Sequence, residues 1–211
     1  YRYLCRQYKQ SFIPHIVLPC GICPKEEADE PLWRKANRDK IIFCYAGNIG
    51  EAHNDVFLLE LIRQLDPEKH LILLRLYGAK AQQVLKEASV FESVIQLEYI
   101  ALTDMQYIDI CVASLLPAWN HVCVPSKVVS AICCGLPVLY NANDKSEGVC
   151  MFSGAIWLIS DSDAMIDYIS RFLKELTKDT ILQKKENAKC YAHELAILEK
   201  TNLSNLLHII K

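Results

Sequence analysis

The sequence has no apolar run long enough to cross a membrane. Its longest, residues 128–140, is short of the roughly 20 residues a span needs, and Gly135 and Pro137 interrupt it. Charge of one sign is also lacking: 23 Lys and Arg stand against 25 Asp and Glu, a net charge of -2. Nucleic acid is therefore not expected as a partner, because phosphate-backbone binding usually takes a basic face. There is no GxGxxG, no Walker lysine motif and no acidic residue closing a second strand about 20 positions on, which disfavours a nicotinamide site. Internal repeats and low-complexity tracts are missing. The chain opens at Tyr1, not at methionine, and shows no charged-then-apolar leader; a cytoplasmic location is expected from its cysteine usage. The expectation includes a preceding N-terminal part, through which peripheral membrane association is allowed.

Cysteine is plentiful, at 10 residues, but lacks pattern. Only Cys20 and Cys23 have ligand-like spacing, and no second CxxC partners them. Cys133 and Cys134 are adjacent, which suits neither zinc nor an ordinary disulfide. Cys44, Cys111, Cys123 and Cys150 lie in apolar segments. Small buried hydrophobes in a reducing compartment are the expectation, with no metal.

With 211 residues, 52% hydrophobic, the chain can bury one good core with helical appendages. From residue 41 onward short apolar runs alternate with helical patterns. Strands are expected over 41–46, 71–77, 93–97, 110–116, 137–141 and 155–159. Helices are expected over 55–65, 80–88, one or two turns at 103–108, the segment after Pro125, and 163–176. In the last of these Met165, Ile169, Phe172, Leu173 and Leu176 share a face. Residues 180–211 read as one or two more amphipathic helices. Strands apolar throughout are buried on both faces, and alternation with helices makes them parallel with right-handed crossovers. The fold class expected is α/β, a Rossmann-like doubly wound parallel sheet of about six strands. Three parts follow: a connector at 1–40 (a helix at 1–12, a strand at 15–19, a charged loop at 20–37), the sheet domain at 41–177, and C-terminal helices at 178–211.

Ligands of such sheets bind beyond the carboxyl ends of the strands, at the topological switch point. Residues 124–129, Val124-Pro125-Ser126-Lys127-Val128-Val129, supply a loop ending in a helix-opening signal, with Ser126 as a candidate N-cap. A first-turn lysine is slightly unfavourable beside a helix dipole unless an anion lies between them. A hydroxyl, free N–H groups and an ammonium at one point form an anion site suited to phosphate. Gly47-Asn48-Ile49-Gly50 closes the first strand, where glycines let backbone amides approach a ligand. Gly78 stops the second strand. His53 and His121 lie in rim loops and could donate to phosphate or sugar. Trp119 could stack on a ring or cover the core, and Glu98-Tyr99 follow the third strand, where a base could stack.

Taken in order, Gly47-Asn48-Ile49-Gly50, Gly78, Ile108-Asp109-Ile110, Pro125-Ser126-Lys127, Gly135-Leu136-Pro137-Val138 and Gly154 resemble the C-terminal, donor-binding domain of GT-B glycosyltransferases of the group 1 (family 4) type. Residues 16–21 look like the family's linker strand, with Cys20 where asparagine is usual. The resemblance covers roughly residues 12–176. It implies a nucleotide-diphosphate sugar as donor substrate, no cofactor, retention at the anomeric carbon, a role in surface polysaccharide synthesis and an acceptor domain on the N-terminal side. Gly47, Asn48, Gly50, Ser126 and Lys127 would hold the diphosphate, with Lys127 stabilising the leaving group without a metal. The chain departs from the family at its paired glutamates, where Val122 and Ser130 stand, and in its first loop, which lacks the usual arginine and lysine. A non-catalytic nucleotide-sugar-binding module and half of a nucleotide-sugar epimerase remain open.

Overall fold

The computed structural model describes residues 28–119 and 125–210, with side chains through residue 204. The expected helix at 1–12, strand at 15–19, linker at 16–21 and Cys20–Cys23 pair lie outside the described residues. So do His121, Val122, Cys123 and Val124.

Six strands form one sheet: β1 Ile41–Asn48, β2 His70–Tyr77, β3 Val94–Gln96, β4 Ile110–Ser114, β5 Val138–Ala142 and β6 Ile156–Ser160. Their order is β3-β2-β1-β4-β5-β6, and every neighbouring pair is parallel. The helices are α1 Leu32–Lys35, α2 Asp55–Gln64, α3 Ala81–Ala88, α4 Ser126–Cys133, α5 Glu147–Phe152, α6 Met165–Glu175 and α7 Lys178–Ile210. This is the α/β doubly wound architecture read from the alternating apolar runs.

The period-two alternation of β1 divides its side chains between two cores. Phe43 and Tyr45 pack with Phe57, Leu58 and Leu61 of α2 and Ile169 and Phe172 of α6. Ile42 and Cys44 pack with Val128 and Ile132 of α4, Phe152 of α5 and Leu195 of α7. Each such large side chain contributes roughly 1.5–3 kcal/mol by leaving water, so both sheet faces must be covered. Of the face anticipated on α6, Met165, Ile169 and Phe172 are buried, and Leu173 and Leu176 lie at its margin.

Asp109, between the third and fourth expected strands, ties the amino end of the sheet together. Its carboxylate accepts from the Ile42 N–H at 2.9 Å, from Arg34 Nη1 at 3.2 Å and from Lys185 Nζ at 3.1 Å. The motif aspartate is thus a clamp among α1, β1 and α7, at the end of the sheet away from the strand tips.

Some expectations are corrected. β1 runs to Asn48 because Gly47 and Asn48 continue the ladder opposite Leu76 and Tyr77. Residues 32–35, expected as loop, make one helical turn that carries Arg34 to Asp109. The six-residue helix α5 was not anticipated; under two turns, it has no periodicity to read. The C-terminal segment is one helix of 33 residues, and its Ile181, Ala188 and Leu195 are buried. Cys44 and Cys111 are buried and Cys133 and Cys134 partly so, but Cys150 is exposed, against expectation. Among the described residues no helix is long and apolar enough to cross a membrane.

Candidate functional site

β1 sends its connections to β2 on one side while β4 lies on the other. The crevice between the tips of β1 and β4 is therefore the switch point. Two segments reach it: the end of β1, and the start of α4.

At α4, Pro125 is the N-cap, with φ -61 and ψ 120, and Ser126 is the first helical residue. The expected capping by Ser126 does not occur: the proline's extended ψ delays the helical turn by one residue, so the hydroxyl caps nothing. The Val128 N–H reaches the Pro125 carbonyl at 3.0 Å. The Ser126 and Lys127 N–H groups precede any helical carbonyl they could bond, and they face outward as a helix start must.

From the next turn position Lys127 folds back across the crevice. Its Nζ donates to the Asn48 carbonyl at 2.9 Å and to the Tyr45 hydroxyl at 3.1 Å, and lies 4.2 Å from the Tyr45 ring centroid. Among the described residues no carboxylate pairs with it. Burial pulls its pKa down to about 8. The glycine turn and the Pro-Ser-Lys turn, far apart in sequence, thus meet.

The glycines divide by role. Gly47 sits at φ 128, and a Cβ there would stand 3.8 Å from Lys127 Cε. Gly50 does not offer its amide to a ligand: its N–H donates to His53 Nδ1 at 3.1 Å. Gly78, at φ 102, makes room for the Asn48 side chain and does not line the cavity. His53 is held neutral. Burial, then the charges of Lys127 and Lys80, lower its pKa to about 4, outweighing the Gly50 contact. Because Nδ1 accepts, the ring proton sits on Nε2, which makes His53 a neutral donor.

A cavity of about 690 Å³ opens here, lined by Gly47, Asn48, His53, Tyr99, Pro125, Ser126, Lys127 and Ser130 from the sequence reading. Tyr45's neighbours Cys44 and Ala46 line it too, with Tyr77, residues 100–102 and Met105 forming a largely apolar wall. Arg75 covers the Tyr77 ring at 4.8 Å. Among the described residues, no Asp or Glu lines it. Glu98 stays outside, its carbonyl 3.5 Å from Arg75 Nε, and Trp119 ends the short turn Pro117–Trp119 away from the lining. Tyr45 and Tyr77 were not singled out from sequence; each is one aromatic in an apolar strand, and only its place at the strand's carboxyl end marks it. A cavity of similar volume, about 680 Å³, lies by Ile41, Asp66 and His70 and contains none of the residues singled out.

No protein-family model matches this sequence, and no curated protein is similar to it in sequence. Solved structures do resemble it. Sucrose-phosphate synthase from Thermosynechococcus elongatus matches with TM-score 0.65 at 16% identity, over 100% of this chain and 57% of that one. Anabaena HepE, in complex with UDP and glucose, matches with TM-score 0.56 at 12% identity, over 83% of this chain and 51% of that one. The C-terminal domain of the group 1 glycosyl transferase LpcC from Francisella tularensis matches with TM-score 0.54 at 13% identity, over 80% of this chain and 93% of that one. The chain spans about half the length of the first two. These likenesses show the fold, which is one half of the GT-B architecture.

Proposed function

We propose that this chain is the donor-binding half of a glycosyltransferase, holding a nucleotide-diphosphate sugar in the crevice between β1 and β4. The observation that carries the reading is the Lys127 ammonium. It is partly buried, pairs with no carboxylate among the described residues, and stands beside the first amides of α4, which bond no described carbonyl. An ammonium with no counter-ion, next to the positive end of a helix dipole, is stabilised by an anionic ligand. Ser126, which caps nothing, and neutral His53 add donors on either side. HepE, similar in fold, is a UDP complex, and a diphosphate suits this donor set.

In transfer, the glycosyl–oxygen bond breaks and negative charge grows on the departing diphosphate. Lys127 and the Ser126 and Lys127 amides would stabilise that charge from fixed positions. The reaction retains anomeric configuration and serves polysaccharide synthesis, with the acceptor held by a second domain N-terminal to this one; these finer statements rest on the motif resemblance. Titrating UDP, GDP and their sugars into wild type and Lys127→Ala by calorimetry tests the binding role. Equal heats and affinities in both proteins would reject it.

A second reading, a binding module without turnover, is favoured by one observation. Ser130, where the family carries a glutamate, lines the cavity, and among the described residues no carboxylate does. Tight donor binding without transfer by a full-length chain given a suitable acceptor would support it. The same lack of carboxylates leaves the epimerase reading without a carboxylate acid or base in the described lining.

A further inference from the structure

We propose that Tyr45 is the positioning residue of the Lys127 ammonium, seating it at the tip of β1 while leaving its charge uncompensated for an anionic ligand. This rests on reading the cavity as a diphosphate site.

A first-turn lysine has a long flexible stem and water as its default surroundings. Lys127 instead crosses the crevice, and every anchor its ammonium has among the described residues belongs to β1. The Asn48 carbonyl lies at 2.9 Å, the Tyr45 hydroxyl at 3.1 Å and the Tyr45 ring centroid at 4.2 Å. Tyr45 supplies two of the three, through a lone pair and through the negative face of its ring. All three anchors are neutral. A carboxylate in the same seat would orient the ammonium equally well but cancel its charge. A phenol and a carbonyl orient it by partial charges and preserve the net positive charge that an anion needs.

Tyr45 is itself fixed. It is fully buried in the core between β1, α2 and α6. The Ser114 side chain interacts with its hydroxyl, and Ser114 Oγ accepts the Asn54 N–H at 3.0 Å. Asn54 is the N-cap of α2, where its side chain accepts the Phe57 N–H. A line of contacts therefore runs from the start of α2, through β4 and β1, to the ammonium. Burial drives the Tyr45 pKa to about 12, so the phenol stays neutral wherever Lys127 is charged. Among the other ionisable groups described on this side, His53 is neutral, burial pushes the Cys44 and Cys111 thiols up, Asp55 is paired with Lys80, and the Tyr77 and Tyr99 phenols line the same cavity.

The test uses the whole chain and two independent readings. One is the pH midpoint of Lys127 acylation in the ligand-free protein, followed by mass spectrometry. The other is calorimetric affinity for UDP, GDP and pyrophosphate. Tyr45→Phe keeps the ring and removes the acceptor. It is expected to lower the acylation midpoint by about half a pH unit or more and to weaken the bound probe about three- to tenfold. A wild-type midpoint together with wild-type affinity in Tyr45→Phe would overturn the proposal. Lys127→Arg is a second arm that leaves the core untouched. It keeps the charge, but replaces a compact point ammonium held between the Asn48 carbonyl and the Tyr45 hydroxyl with a longer, planar, delocalised head, and affinity falls; wild-type affinity there would also overturn the proposal. If Lys127→Ala binds every probe as wild type does, the diphosphate reading fails. The acylation midpoint of Tyr45→Phe still decides whether Tyr45 holds the ammonium.

Discussion

The side chain of Asn48 occupies the space that a Cβ at Gly78 would need: Oδ1 lies 1.9 Å from where that carbon would stand. The tips of β1 and β2 are locked to each other at this contact. The Ile49 N–H reaches the Tyr77 carbonyl at 2.8 Å, and the Lys80 N–H reaches the Ile49 carbonyl at 3.1 Å. Asn48 in turn presents its carbonyl to Lys127.

Gly78→Ala therefore meets both a positive φ and a collision. We expect a loss of about 1–3 kcal/mol, read as a lower urea midpoint, and weaker binding of UDP or GDP because the Asn48 carbonyl moves. An unchanged midpoint would mean that the turn tolerates a side chain and that Asn48 is not held by it.

How far the site could be read from sequence follows from how local each signal is. Pro125-Ser126-Lys127 announces a helix start within three residues, and Gly47 and Gly78 announce strand ends; these came through. What a side chain touches across the sheet did not. Tyr45 lies inside an apolar run, and nothing nearby says that its hydroxyl meets a residue 82 positions away. Gly50 looked like a free amide because the return of His53 onto it depends on the loop's path. Ser126 looked like a cap because sequence cannot place the helical turn to a single residue. In the fold, strands apolar on both faces are self-announcing, whereas α1 and α5 are too short to carry a period.

The pH response of Lys127 separates two quantities. Its folded pKa of about 8 lies below the ordinary 10.5. Between those values the unfolded chain keeps a proton that the folded chain releases, so this group's contribution to stability rises with pH across that window. Anion affinity does the opposite, falling above about pH 8 by up to tenfold per pH unit as the ammonium neutralises. Urea unfolding and UDP titration over pH 7–10, each compared with Lys127→Met, should diverge in this way. Parallel trends would contradict the assignment.

His53 acts at the acid end. Its folded pKa of about 4 lies below the ordinary 6.5, so between them the unfolded chain binds a proton that the folded chain refuses. Stability drops as pH falls through that window. Burial pushes His70 the same way, so the informative quantity is a difference: His53→Gln should lose less stability than wild type between pH 6.5 and 4. An identical loss would show that His53 is not neutral in the fold.

Asp109 should matter for folding and not for the ligand. Asp109→Ala strips the partner from Arg34, Lys185 and the Ile42 N–H. We expect about 2–4 kcal/mol of destabilisation, since removing one member of a partly buried ion cluster leaves the others uncompensated. The folded fraction should keep its affinity for UDP or GDP. Loss of affinity in a well-folded variant would mean that the clamp reaches the crevice.

The most direct measurement is a calorimetric titration of pyrophosphate, UDP and GDP at pH 7 into wild type and Lys127→Ala. The account predicts saturable binding of at least one probe by wild type and about ten- to hundredfold weaker binding by the variant, the effect of one charge-assisted contact. No binding of any probe, or equal binding by the two proteins, would contradict it.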